Sequence, residues 1–349
     1  MKDSGMRYGG VSDREGKIID KVLGLYNFEI ISYEKVRSVY KVKTGLGHIC
    51  LKKLKHGKNK AENGNILVEA LYRNNFFNTP KYFRTRNNKL FVRYKKLFFY
   101  ATEWIEGNEC KLDNVEEAIN CTKLLAEFHK VTSKINCKSL KIKNNLKNWP
   151  KVYKEKTYEL NKFDKVIDNK KIKSSFDIEY KKNIETFFNK GLFSLKILNE
   201  SEYYRLSEIA SKNHTVCHDS FYYQNIIKKG EDYFLIDLDS IIIDLRVNDL
   251  GKFIRRLMSK KDYSWSFEKA KNIIESYDSI NKLTKEELEV MLALIVFPHK
   301  FWKLGKKCYI KHKDWNDQKY LHKLNKILTE SNLQETFVEE YLNYIMTRI

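Results

Sequence analysis

The sequence predicts an α+β protein of two lobes, a small antiparallel sheet with one main helix followed by a larger, mostly helical lobe. Three observations carry this. Short apolar runs of strand character crowd residues 28–105. Apolar residues at three- and four-residue spacing dominate from residue 114 onward. One hairpin-like stretch, residues 216–240, interrupts that helical region with polar tips. We place the lobes at 1–105 and 106–349.

The small lobe opens with Ile18 to Leu23, which suggests a short leading helix. Phe28 to Tyr33, Val39 to Thr44 and Ile49 to Leu54 read as strands, the last two joined by a Gly45-Leu46-Gly47 turn. Residues 55–64, rich in Lys, Gly and Asn, read as an exposed loop before a helix from Asn65 to Arg73. Leu90 to Tyr94 and Leu97 to Ile105 supply two more strands, ended by Glu106-Gly107-Asn108.

In the large lobe, Asn114 followed by Glu117, and Thr284 followed by Glu287, form capping-box patterns ahead of apolar stripes. Pro298 ends the second of these helices, and residues 316–349 read as one or two more. Residues 141–200 carry 15 Lys, no Arg and 8 acidic residues, with aromatics interleaved. Such a segment could bind nucleic acid. We read it as a pair of amphipathic helices whose lysine stems cover apolar surface while the ammonium groups stay wet.

The formal charge of +21 comes almost wholly from lysine. A basic excess suits anionic partners, but the Lys, Asn and Ile bias reads as composition rather than as a nucleic-acid footprint. The 22 Tyr and 20 Phe argue against disorder, and 3 Pro and 14 Gly argue against long flexible linkers. The six cysteines, at 50, 110, 121, 137, 217 and 308, include no C-x-x-C pair, so reduced buried thiols are expected rather than zinc ligands or disulfides. No secretory signal and no membrane-length apolar run is visible, which predicts synthesis in the cytoplasm.

The chemistry-bearing stretch is Val216-Cys217-His218-Asp219-Ser220-Phe221-Tyr222-Tyr223-Gln224-Asn225-Ile226-Ile227, followed by Tyr233-Phe234-Leu235-Ile236-Asp237-Leu238-Asp239-Ser240. It predicts two strands, with an amide and up to three carboxylates at neighbouring tips. Hard cations favour grouped oxygen ligands, and phosphoryl transfer needs such a cation.

With Leu51-Lys52-Lys53, Thr102 to Gly107, Leu125 to His129, Asp249-Leu250 and Phe297-Pro298-His299-Lys300-Phe301-Trp302, this order resembles the aminoglycoside and choline phosphotransferase group of protein-kinase-like folds. Within it the chain resembles the CotS-type spore coat proteins. The likeness runs from about residue 25 to 345. It implies ATP and Mg²⁺ as cofactors. Lys52, or its neighbour Lys53, would contact the α and β phosphates, and Glu69 would pair with Lys52. The backbone of Glu103, Trp104 and Ile105 would meet adenine, and Asn225 and Asp237 would hold Mg²⁺. His218 and His129 would be structural.

Three departures stand out. The family's catalytic aspartate, two residues after the loop histidine, is Ser220 here, and Asp219 comes one residue early. The phosphate-covering loop, Glu34 to Ser38, has no glycine. Asp239 follows two residues after Asp237 where protein kinases have glycine, a feature common in the phosphotransferase branch. The resemblance therefore implies a spore coat component of pseudokinase character, packing with other coat proteins. The alternative is an active ATP- and Mg²⁺-dependent phosphotransferase with a small-molecule acceptor.

Overall fold

The computed structural model describes residues 8–54 and 58–348. The chain divides into two compact units. One comprises the chain up to Cys110 with Val131–Lys143 and Tyr222–Ile242; the other comprises Lys111–Lys130, Asn144–Phe221 and the chain from Ile243 onward. The division is therefore not a single cut near residue 105. The hairpin that interrupts the helical region pairs with the sheet-bearing unit instead.

In that unit the strands Ile30–Val36, Val39–Thr44, Gly47–Leu54 and Leu97–Glu103 run antiparallel in this order. Tyr82–Phe83 and Val92–Tyr94 both pair with Leu97–Glu103, and Tyr8–Gly9 adds a parallel edge. The leading helix is longer than the sequence suggested, Asp13–Leu23, because Ser12 caps it by accepting from the Glu15 N–H. Its apolar stripe, Ile19, Val22 and Leu23, is buried with Tyr33, Tyr40, Val42 and Phe99. Within the glycine-free Glu34 to Ser38 segment, Glu34, Lys35 and Val36 end the first of these strands and Arg37-Ser38 makes a tight turn to the second, with Arg37 taking the left-handed φ of 54° usually given to glycine.

The expected 55–64 loop is corrected over 58–64, because the main helix of this unit spans Lys58–Arg73, while 55–57 lie outside the described residues. Asn and Gly are poor helix formers, but packing overrides propensity here. The Asn63 side chain exchanges two 3.0 Å hydrogen bonds with the Lys141 backbone. A Cβ on Gly64 would collide with the Tyr82 hydroxyl and lie 3.3 Å from the Leu238 carbonyl. The small residue thus admits the helix against the turn that carries the aspartates.

The hairpin strands are Ile226–Lys229 and Asp232–Leu235, with Asn108–Glu109 as a third strand. Asn78 fixes the second strand, donating to the Tyr233 carbonyl at 2.9 Å and accepting from the Leu235 N–H at 2.8 Å. That strand stops at Leu235, short of the expected end. Asp237 is left-handed at φ 69°, and Leu238–Ser240 forms a 3₁₀ turn. A short polar side chain tolerates this conformation, so the strand can end there.

The second unit is helical. Its lysine-rich segment forms the expected helix pair, Trp149–Asp168 and Ser175–Glu200. A Cβ on Gly191 would collide with Thr157, so this glycine permits close approach of the two helices. Phe163, Tyr180, Phe187 and Phe301 are buried together, with Phe187 and Phe301 stacked at 3.9 Å. The Thr284–Glu287 capping box starts Lys285–Val296 as expected. Residues near the C-terminus form one helix, Asp317–Met346. The six cysteines are free. Among the described residues no helix is long and apolar enough to cross a membrane.

Candidate functional site

Strand register settles which lysine serves the hairpin. Neighbouring strand residues point to opposite faces. The Lys52 ammonium pairs with Asp237 and, at 2.9 Å, with Asp239. The Lys53 ammonium turns the other way and pairs with Glu15 at 3.0 Å. Lys53 is thereby removed as a candidate.

The aspartates differ. Burial pushes the Asp237 carboxyl up, opposed by Lys52 and reinforced by the nearby Asp239 charge. Burial also works against Asp239, but Lys52, Asp237 and the Tyr100 hydroxyl hold it below the usual range. Tyr100 donates to Asp239 at 2.9 Å and stacks on Tyr82 at 5.3 Å. Burial works against the Lys52 charge, yet the two carboxylates keep it raised. One ammonium thus faces two carboxylates in a largely buried pocket. That leaves an anionic excess suited to a hard cation. The Asp239 side chain is 3% exposed and Asp237 is 31% exposed, so Asp237 is the carboxylate that an incoming ion reaches.

Asn225 stands beside Asp237 in the pairing: its backbone carbonyl accepts from the Ile236 N–H at 3.0 Å. Asn225 thus precedes the first hairpin strand and Asp237 follows the second, and an amide oxygen and a carboxylate are donor types that suit Mg²⁺. Glu69 is placed elsewhere. It accepts from Asn65 at 2.9 Å and pairs with Arg84 at 3.3 Å and Arg73 at 3.7 Å, so the expected Lys52–Glu69 pair is corrected. The helix face set by Gly64 points Glu69 toward Arg84, and the aspartates take over as partners of Lys52.

In the connector, the Glu103 N–H donates to the Lys81 carbonyl at 2.9 Å and the Trp104 N–H to the His48 carbonyl at 3.3 Å. The Ile105 N–H, by contrast, donates to no backbone carbonyl among the described residues.

The loop residues belong to the helical unit. Asp249, buried at the start of the helix Val247–Met258, accepts from the His218 N–H at 2.6 Å and the Asp219 N–H at 2.8 Å. It also meets His129 Nε2 at 3.1 Å, and His129 Nδ1 meets the Tyr277 hydroxyl at 2.8 Å. His129 thus sits in a buried network, as expected of a structural residue. Burial works against the Asp249 charge, and hydrogen bonding and charge from His129 hold its carboxyl below the usual range. In the sequence Asp249 was legible within the Asp249-Leu250 pair that carries the resemblance, but nothing there showed that it accepts from the loop.

Asp219 is left-handed at φ 66°, and its carboxylate pairs with Lys252 at 2.6 Å. Ser220 Oγ lies 3.4 Å from His218 Nδ1. Lys252, one turn beyond Asp249, carried no sequence signal beyond its place on that helix.

Comparison with known proteins identifies the family and the fold. Residues 17–341 match the family described as "Spore coat putative kinase YutH". The chain is 24% identical over 343 residues to spore coat protein S of Bacillus subtilis (strain 168), covering 94% of this chain and 95% of that protein. An aminoglycoside phosphotransferase from Alicyclobacillus acidocaldarius subsp. acidocaldarius DSM 446 superposes with a TM-score of 0.80 at 16% identity, covering 94% of this chain and 96% of that one. An amicoumacin kinase solved with AMP-PNP and Ca²⁺ gives 0.62 at 13% identity, covering 97% and 95%. The fold is that of the kinase-like phosphotransferases.

Proposed function

The chain belongs to the spore coat kinase family, and we propose that it is a spore coat component whose kinase-like fold binds ATP and Mg²⁺ but transfers phosphate weakly or not at all. One contrast carries this reading. The lysine and carboxylates that serve a nucleotide–metal complex are kept, whereas a serine stands where a proton-accepting carboxylate is needed. Lys52 would contact phosphate oxygens once a ligand shares its carboxylate partners. Asp237 and Asn225 would hold the cation, which neutralises phosphate charge when bound. The Ile105 N–H would meet the adenine edge.

Ser220 is a poor proton acceptor, and Asp219 is engaged by Lys252. A missing general base costs roughly 10²- to 10⁴-fold in rate. Placement in the coat rests on the family and on the relative's name, and other coat proteins are the proposed partners. The alternative, an active phosphotransferase with a small-molecule acceptor, is favoured by the intact Lys52–Asp237 pair.

Two measurements test the reading. ATP with Mg²⁺ should raise thermal stability, since a ligand bound only by the native state must do so. ATP turnover should be near background in the wild type and rise in Ser220→Asp. No Mg²⁺-dependent stabilisation sinks the nucleotide reading, and brisk wild-type turnover selects the alternative. Absence of the protein from purified spores removes the coat assignment.

A further inference from the structure

The helical unit contains a cavity of about 250 Å³ that the reading above does not use. Helix Val247–Met258, the Phe297–Lys303 segment and helix Asp317–Met346 all contribute to its lining. Phe187, Phe297 and Phe301 supply apolar wall.

The charges around it do not balance. Arg255, Arg256, Lys300 and Lys303 line it, and Glu330 is the single carboxylate among the lining residues. Glu330 is already taken by Lys300, at 3.0 and 2.7 Å. Arg255 donates one hydrogen bond to the Leu294 carbonyl and Arg256 one to the Phe221 carbonyl, each at 3.2 Å, and neither carbonyl supplies a countercharge.

A further cation lies close by. Lys156 stands 4.6 Å over the Trp302 ring and 5.9 Å over that of Phe297. Burial, then Arg255 and Lys252, push this ammonium down to about 8. Burial, then Arg255, Lys156, Lys303 and Arg256, push the His299 imidazole down to about 2. Both shifts come first from burial and then from cations that the two groups share, with Glu159 opposing the shift at Lys156.

Cations gathered in a partly dry cavity repel one another, and an anionic ligand relieves that cost. Guanidinium forks match the oxygens of a phosphate, and the several cations suit a ligand of more than one charge. An apolar cavity of about 150 Å³ admits benzene, so 250 Å³ leaves room for a ring plus a charged group. We propose that this cavity binds a small phosphate monoester with an apolar body, the phosphate held by Arg255, Arg256 and Lys303 and the body lying against Phe297 and Phe301. The site needs neither nucleotide nor turnover, so it stands or falls apart from the function proposed above.

The probe is phenyl phosphate, titrated into the full chain by calorimetry without ATP or Mg²⁺. Phenyl phosphate should bind more tightly than inorganic phosphate, and phenol should not bind. Lys303→Glu, at an exposed position, and Arg256→Gln should each weaken binding by at least about tenfold, the scale of one charge-assisted hydrogen bond. Lys171→Glu, an exposed lysine outside the lining, should leave binding unchanged. Absence of phenyl phosphate binding by the wild type overturns the proposal. So do equal losses in Lys303→Glu and Lys171→Glu, which would report general charge attraction, or binding of phenol as tight as that of its phosphate.

Discussion

Asp237 in the sheet-bearing unit and Asp219 in the helical unit share backbone and partner type. Both are left-handed, at φ 69° and 66°, and both pair with a lysine. Left-handed aspartates persist where surrounding contacts hold them, and such positions gather at functional sites. Their surroundings then diverge. Asp237 shares its lysine with a second carboxylate, which a tyrosine steadies. Asp219 has Lys252 and a neighbouring serine. The first arrangement has negative charge to offer a cation. The second is closer to balanced and lacks a carboxylate at the base position. On the proposed function, ligand binding and proton transfer are separable demands, and the chain would keep the residues for one without the other.

The comparison breaks most sharply at Asp249. Asp249→Ala strips the acceptor from two loop N–H groups and from His129, leaving buried donors unpaired. A loss of about 3–5 kcal/mol is expected, read by urea unfolding, because removing one side of a buried pair strands the other. A loss below about 1 kcal/mol would show that the loop is held otherwise.

The next effect sharpens the contrast. Ser220→Asp should raise ATP turnover about 10²-fold or more, whereas Asp219→Ala should leave it near background. Turnover that depends on Asp219 instead would move the proton acceptor one residue.

Asp237→Ala should abolish the stabilisation by ATP that depends on Mg²⁺, with a smaller effect on stability without ligand, since this carboxylate is the more exposed of the pair. Thermal melts with and without Mg²⁺ decide it. A variant that still responds fully to Mg²⁺ would dissociate Asp237 from the metal.

The smallest effect concerns Glu15, which ties the leading helix to the other face of the sheet. Its carboxyl is pulled down to about 2 by the Tyr40 hydroxyl, helped by Lys53 and Lys35 and opposed by burial. The folded chain therefore holds fewer protons at Glu15 than the unfolded chain between about pH 4.5 and 2. Its stabilisation is complete above that window and fades as pH falls through it. Glu15→Gln should flatten the stability profile between about pH 5 and 3, measured by unfolding at each pH. An unchanged slope would assign the acid sensitivity to other carboxylates.

Many of the candidate residues were legible because they lie close together in sequence. His218, Asp219, Ser220, Asn225 and Asp237 fall within one loop and hairpin. The partner of Lys52 was not legible, because a helix face cannot be read without its rotation. Gly64 seats the helix Lys58–Arg73 so that Glu69 meets Arg84. Nor could sequence show that the hairpin joins the sheet-bearing unit through Asn78.

The sequence by itself determined the fold class, the order of elements, the capped helix starts at Asn114 and Thr284, and the serine at the base position. These depend on local periodicity, side-chain hydrogen bonding to nearby backbone, and residue identity. Only the tertiary structure decided that Lys52 rather than Lys53 meets the aspartates, that Asp249 holds the loop, and that cations distant in sequence line one cavity. Those outcomes depend on strand register, helix rotation and burial, which bring together side chains that no local pattern connects.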